Sequence, residues 1–232
     1  MNQQKVSIAR DIDSPMIGII MLNTSFPRPV GDVGNLASYD YLATIFKLSK
    51  ANVANVVSDS LSDEVIQEVI AAAHQLRCQG VKIITTSCGF LAPIQQQVQQ
   101  SVGLPFIASS LCLLPFLRQV FGKTSKIAVL TFDSRVLSPD HFNGHFDNKL
   151  VIGGIEQGQE LHQVIKQGLS SLDEAKAQQD VLEAAQRLMQ HSPECILLEC
   201  TNLSPYKAAI RERFGIAVYD LVDAVHWLAK AY

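Results

Sequence analysis

The sequence predicts an α/β fold built from two similar halves. Short buried runs alternate along the chain with stretches of helical spacing, which is typical of parallel sheets covered by helices on both faces. Two segments, VKIITTSCGF and ECILLECTNL, share one plan of buried strand, polar turn with a cysteine and helix start. Their cysteines, Cys88 and Cys200, lie 112 residues apart, close to half of the 232-residue chain.

The composition excludes several classes of protein. Hydrophobic residues make up 47% of the chain and charged residues 18%, which favours a well-buried globular protein. The 19 Lys and Arg residues against 22 Asp and Glu give a net charge of −3, so no basic excess points to nucleic acid. The five cysteines form no CxxC pair and no zinc-ligand spacing. We therefore expect neither a disulfide framework nor a metal site, and thiols in a reducing compartment.

Residues 1–15 are too polar for the apolar core of a secretory signal. No apolar run approaches the ~18 residues that cross a bilayer. We therefore expect a cytoplasmic protein that binds neither nucleic acid nor a membrane. Whether it forms a homo-oligomer stays open.

The first half begins with a strand over residues 16–22, an apolar and partly β-branched run. A long loop rich in Pro and Gly follows over 23–38, and a loop of that length is more often functional or mobile than filler. A second strand is predicted at 53–57. Capping residues then start a helix that ends at Gly80, and residues 81–86 predict a central parallel strand.

The second half repeats this alternation. A capping box over 171–174 opens one of its helices. The predicted helices cover 109–121, 171–191, 204–214 and 220–231, and the predicted strands cover 126–131, 151–155, 195–199 and 216–219.

Cys88 and Cys200 follow strands and precede helices, and ligands of open α/β sheets bind at such strand ends. A helix start favours an anion and lowers the pKa of a thiol. Two thiols on opposite walls of a cleft can remove a proton from a carbon acid and return one to the other face. Backbone N–H groups after each cysteine can hold a carboxylate and stabilise enolate charge. The remaining cysteines, Cys78, Cys112 and Cys195, are interpreted as packing residues.

These two strand–cysteine–helix segments, with their spacing and the chain length, resemble the aspartate/glutamate racemase superfamily over residues 17–227. The resemblance implies two α/β domains related by a pseudo-twofold axis, with mainly parallel sheets and the active site in the cleft between them. It predicts a first domain of residues 16–108 plus 220–232, which carries Cys88. The second domain, residues 109–219, carries Cys200.

The resemblance makes Cys88 and Cys200 the catalytic pair. The substrate contacts that we predict are Asn23, Thr24, Ser87, Gly89, Thr131, Thr201 and Asn202. Glutamate racemases commonly have Asn-Thr after the first cysteine, where this chain has Gly89-Phe90. Their first strand often ends in Asp-Ser, where this chain has Asn23-Thr24. Both departures argue against glutamate-type recognition and leave the two thiols intact.

The resulting expectation is a racemase or epimerase of a small carboxylate, an amino acid of the aspartate/glutamate type or a derivative, that uses no cofactor and no metal. Two alternatives stay open. One is a maleate-type cis–trans isomerase with Cys88 as nucleophile, and the other is a protein that binds a small carboxylate without turnover. Arg28, in the long loop, is either a bidentate carboxylate donor or a solvated surface residue.

Overall fold

A computed structural model describes residues 16–232 and shows two four-stranded sheets in which every pairing is parallel. The strands of the first sheet, in the spatial order β2-β1-β3-β4, are β1 (Ile17–Met21), β2 (Ala43–Lys47), β3 (Ile83–Thr86) and β4 (Phe106–Ile107). The second sheet, in the order β6-β5-β7-β8, contains β5 (Ile127–Thr131), β6 (Leu150–Gly154), β7 (Cys195–Leu198) and β8 (Ala217–Tyr219). The predicted α/β class with two similar halves is confirmed.

Helices connect the strands and cover the sheets. The α-helices are α1 (Val53–Val56), α2 (Asp63–Cys78), α3 (Gln95–Val102), α4 (Leu114–Phe121), α5 (Leu161–Gln167), α6 (Glu174–Met189), α7 (Lys207–Phe214) and α8 (Leu221–Ala229). Two 3₁₀ helices matter for function: Gly89–Ile94 is called the first site helix and Thr201–Tyr206 the second site helix. Within residues 16–232, no helix has both the length and the apolar character needed to cross a membrane.

Helix α2 shows how the sequence dictates this packing. The Ser62 hydroxyl accepts a hydrogen bond from the Val65 N–H and caps the helix. Apolar residues then recur every three or four positions and are fully buried against the sheet. Gly18 of β1 leaves the space that the Leu76 side chain occupies, so the helix lies close to the strand.

The two halves repeat one another at a spacing of 112 residues. Each site helix carries a proline at its fifth position, Pro93 in the first and Pro205 in the second. An eight-residue α-helix follows in both cases and ends at a glycine in the left-handed region, Gly103 with φ of 65° and Gly215 with φ of 63°. The repeat therefore places Cys88 and Cys200 at equivalent points of two equivalent scaffolds.

The closing helix α8 packs on the first sheet. Buried residues of α8, among them Leu221 and Val225, join an apolar cluster with Ile17, Ile19 and Ile83 of strands β1 and β3. The end of the chain thus supplies part of the core of the first half.

One predicted strand is wrong. Residues 53–57 do not form a strand: Asn52 caps a short helix here, with a capping box to Asn55. The second strand is β2, whose side chains are half-buried or exposed at the sheet edge, so that no continuous apolar run marks it. The two-residue strand β4 and helix α5 are further elements that the sequence pattern does not predict.

Candidate active site

Cys88 and Cys200 face the same pocket. Cys88 follows β3 and immediately precedes the first site helix, and Cys200 stands in the same relation to β7 and the second site helix. The pocket encloses about 360 Å³, including the part open to solvent. Both halves line it, with Leu22, Thr24, Phe26, Arg28, Val53, Val57, Ser87, Cys88, Gly89 and Phe90 from the first and Phe132, Ile165, Glu199, Cys200 and Asn202 from the second.

A hydrogen bond between the halves helps to hold the two thiols in place. The Thr201 hydroxyl donates to the Ser87 carbonyl at 2.6 Å, joining the residue after one cysteine to the residue before the other. This bond is buried, where a lost partner is costly, so it helps to fix the spacing of the two walls.

Arg28 contributes a fixed positive charge to the pocket. Its Nη1 lies 2.9 Å from Asp32 Oδ1, and its Nη2 donates to the Thr24 hydroxyl at 3.1 Å. The guanidinium carbon sits 4.6 Å from the centroid of the Phe26 ring. Asn202 donates to the other Asp32 oxygen at 2.6 Å, which ties the long loop to the second half. With 9% of its side chain exposed, Arg28 is not a solvated surface residue.

Glu199 is a charged group that the sequence interpretation did not single out. It follows β7 directly and is completely buried. The Thr131 hydroxyl donates to Glu199 Oε2 at 2.6 Å, whereas Oε1 has no hydrogen-bond partner among the described residues. Burial raises the pKa of this carboxyl to about 7, and the Thr131 hydrogen bond acts in the opposite direction. The one available signal was an acidic residue ending the apolar run CILLE.

Gly89 makes room for Glu199. A Cβ at position 89 would overlap both the Glu199 carbonyl oxygen and its Oε1. A side chain at position 89 would therefore force apart the ends of β3 and β7. The departure from the Asn-Thr of glutamate racemases thus has a steric reason in this chain.

Burial controls the acidity of the two thiols. Together with the nearby Glu199, it raises the pKa of Cys88 to about 12, while the Phe90 N–H and Arg28 act in the opposite direction. Burial also raises the pKa of Cys200, again with a contribution from Glu199. A backbone N–H of each site helix acts to lower the pKa of the neighbouring thiol, as expected, but desolvation is the larger effect and the net shift of both pKa values is upward.

The predicted substrate contacts divide into two groups. Thr24, Ser87, Gly89 and Asn202 line the pocket together with the thiols. Asn23 does not, since its exposed side chain donates to the Ser49 carbonyl. Thr131 and Thr201 lie behind the pocket wall, where they bond to Glu199 and to Ser87 respectively. The predicted roles of Asn23, Thr131 and Thr201 as direct contacts therefore do not fit the geometry.

The three cysteines interpreted as packing residues differ from one another. Cys195 is buried within β7, and Cys112 is half-buried in a short 3₁₀ helix. Cys78 is exposed at the last position of α2, so it is not a core residue.

Solved structures share the fold of this chain. Unliganded arylmalonate decarboxylase superposes with a TM-score of 0.60 at 18% identity, covering 94% of this chain and 92% of that one. The chain shares the fold of this enzyme. Glutamate racemase from Francisella tularensis gives a TM-score of 0.57 at 17% identity, covering 94% of this chain and 81% of that one. An aspartate racemase homologue from Pyrococcus horikoshii gives 0.57 at 16% identity, with coverage of 93% and 99%. The predicted resemblance is confirmed at the level of the fold.

Curated relatives point to a different reaction. The chain is 26% identical over 231 residues to a dimethylsulfoniopropionate lyase from Durusdinium sp. clade D, covering 96% of this chain and 76% of that protein. It is 28% identical over 222 residues to dimethylsulfoniopropionate lyase 3 from Emiliania huxleyi (strain CCMP1516), covering 90% of this chain and 58% of that protein. The chain thus spans less than two thirds of the length of the second relative. No family model matches the chain.

These relatives indicate an enzyme, and they correct the expected reaction. The curated relatives at this level of similarity are named lyases, which break a bond, and not amino-acid racemases. The prediction of an amino-acid racemase or epimerase is therefore wrong, and neither the isomerase nor the non-catalytic alternative matches the name of a curated relative.

Proposed function

We propose that this protein is a lyase that cleaves dimethylsulfoniopropionate, or a closely similar β-sulfonium carboxylate, by β-elimination. The observation that carries the proposal is the pair of thiols, Cys88 and Cys200, in one pocket of a chain whose curated relatives are dimethylsulfoniopropionate lyases. The fold alone supports several reactions, and the relatives favour this one.

The reaction begins at the carbon next to the substrate carboxylate. A thiolate on one wall of the pocket removes a proton from this carbon. The C–S bond at the neighbouring carbon breaks, and its electron pair leaves with the sulfur while a C=C bond forms. The products are dimethyl sulfide and acrylate, and the thiol keeps the proton until it is released to solvent.

The charges of the pocket favour this sequence. Arg28 lies in the pocket wall and opposes the rise in the pKa of Cys88. The positive sulfonium of a bound substrate would lower the pKa of both thiols further, since a nearby positive charge stabilises a thiolate. Substrate binding and formation of the base would therefore be linked.

The test is the release of dimethyl sulfide from dimethylsulfoniopropionate, measured by headspace gas chromatography, with acrylate followed by NMR. Whichever of Cys88→Ser and Cys200→Ser removes the base is expected to lower kcat by about 10²- to 10⁴-fold, the usual contribution of an acid–base group. Cys78→Ser, which changes an exposed thiol outside the pocket, is the matched control and should retain activity. Absence of dimethyl sulfide with the unmodified protein would contradict the proposal, as would full activity in both pocket variants.

A further inference from the structure

Glu199 is a buried acid with an incomplete set of partners. Its side chain lines the pocket and is fully buried, but only Oε2 accepts a hydrogen bond among the described residues. Burying a carboxylate oxygen without a donor is costly. The shift of its pKa has two causes, burial and the Thr131 hydroxyl, and neither is a cationic side chain. Once ionised, this carboxyl places a negative charge at the pocket wall, and no donor to its Oε1 offsets that charge among the described residues.

The surroundings of Glu199 suit a positive group without hydrogen-bond donors. The aromatic residues Phe90 and Phe132 line the same pocket, and aromatic faces attract cations. A sulfonium has methyl groups and a positive charge but no N–H. A site that binds it therefore requires a negative charge and an apolar surface, and hydrogen-bond acceptors in a fixed geometry are not required.

Arg28 gives the pocket a second, opposite charge. Its position is fixed by Asp32 and Thr24, and its charge opposes the rise in the pKa of Cys88. The pocket wall therefore carries a buried guanidinium, Arg28, which is paired with Asp32, and a buried acid, Glu199. A ligand with a carboxylate at one end and a cation at the other matches this pair.

We propose that Glu199, with Phe90 and Phe132, forms a subsite for the positively charged group of the substrate, so that the pocket selects small carboxylates bearing an onium cation. Glu199 is then a specificity-determining residue. The inference rests on the proposed function, which it deepens by naming the group that recognises the leaving end of the substrate.

Two ligands of the same shape separate charge from size. In 3-(trimethylammonio)propionate a nitrogen carries the positive charge, and 4,4-dimethylpentanoate has a neutral carbon at the same place. Ammonium leaves far less readily than sulfonium, so both serve as binding probes. Isothermal titration calorimetry gives the Kd of each for the unmodified protein and for Glu199→Gln, with Glu212→Gln on the exposed surface of α7 as matched control.

The unmodified protein and the control are expected to bind the charged ligand at least about tenfold more tightly than the neutral one. In Glu199→Gln the two Kd values should come within about threefold of each other, with the affinity for the neutral ligand retained. An unchanged preference in Glu199→Gln would overturn the inference, and so would an unmodified protein that binds both ligands equally or binds neither.

A second measurement does not depend on the folding of a variant. In the unmodified protein, the preference for the charged ligand should grow between pH 6 and pH 8.5 as Glu199 ionises, since its pKa is about 7. The other titratable or charged groups that act on this region are Cys88, Cys200, Arg28 and Asp32, with His162 stacked behind Phe132. In the protein without ligand, burial raises the pKa of both thiols and lowers the pKa of His162. A preference that does not change over this pH range would contradict the assignment to Glu199.

The outcomes distinguish this inference from the proposed function. Selective binding of the charged ligand, lost in Glu199→Gln, supports the subsite even where no dimethyl sulfide is released. Release of dimethyl sulfide without any preference for the charged ligand supports the lyase reaction and overturns the subsite.

Discussion

At the scale of single residues, the pocket joins a glycine to a glutamate that lies far from it in the sequence. Gly89 has no side chain because Glu199 occupies the space where one would stand. The acid in turn depends on Thr131 for its one hydrogen bond. The chain thus keeps a buried acid that destabilises the folded state when it is charged.

Replacing this acid by its neutral isostere should make stability less dependent on pH. The pKa of Glu199 is raised from 4.5 to about 7, so its contribution to stability is full below pH 4.5 and is lost as pH rises through about 7. Relative to the unmodified protein, Glu199→Gln should gain about 2 to 3 kcal/mol of unfolding free energy between pH 5 and pH 8.5. Urea denaturation at pH 5 and at pH 8.5 measures the free energy of unfolding of both proteins. Glu212→Gln is the control, and a parallel pH dependence of the Glu199→Gln variant would contradict the expected titration.

Much of this residue-scale detail could not be predicted from the sequence. The positions of Cys88 and Cys200 were accessible because each follows a readable strand and the two segments echo one another. Glu199 and Gly89 form a pair only once the ends of β3 and β7 lie side by side, and a single sequence carries no sign of that contact. Thr131 and Thr201 stand out as polar strand-end residues, but which way each side chain points depends on the opposite half of the molecule.

At the scale of elements, the loop after β1 is tied into the site by charge. Asp32 is buried and receives Arg28 from its own loop and Asn202 from the second site helix. The long Pro- and Gly-rich loop therefore has a fixed anchor, and Arg28 reaches the pocket because of it.

Asp32→Asn should destabilise the protein by about 3 to 5 kcal/mol, because it leaves the charge of Arg28 buried without its partner. Thermal and urea denaturation would show the loss. The control is Glu64→Gln, which removes the partner of Lys50 in an exposed ion pair and should cause no measurable change. Equal effects of the two substitutions would show that the Arg28–Asp32 pair does not anchor the loop.

Strands that are buried at the centre of a sheet are predicted more accurately from the sequence than strands at its edge. Central strands such as β3, β5 and β7 are continuous apolar runs, and the sequence predicts each within a few residues. Edge strand β2 has half-exposed side chains and β4 has two residues, so neither leaves a clear pattern. The apolar residues at 53–57 favour a strand by composition, although the Asn52 cap determines a helix there.

At the scale of the whole molecule, the first half depends on the last helix of the chain. Helix α8 buries Leu221 and Val225 against β1 and β3. A defect at the end of the sequence should therefore reach the sheet that carries Cys88.

Val225→Asp should destabilise the whole protein severely, by more than about 3 kcal/mol, because it places an unpaired charge in a fully buried position. Trp227→Asp, two residues further along the same helix, changes a side chain that is 70% exposed and should stay within about 0.5 kcal/mol of the unmodified protein. Circular dichroism during thermal unfolding compares the two. Similar losses in both would mean that α8 is not held by its buried face.

The spacing of 112 residues between the halves also determines how a ligand can be oriented. Position 87 in the first half corresponds to position 199 in the second, and the chain has Ser87 at one and Glu199 at the other. If the halves were identical, a bound molecule could turn end for end without any difference in energy. The unequal pair is one of the differences that remove that degeneracy, so the two α-hydrogens of a substrate of the proposed kind would not face equivalent walls. A scaffold of two similar halves acquires a stereochemical direction from such differences, and the serine–glutamate pair is the one that also differs in charge.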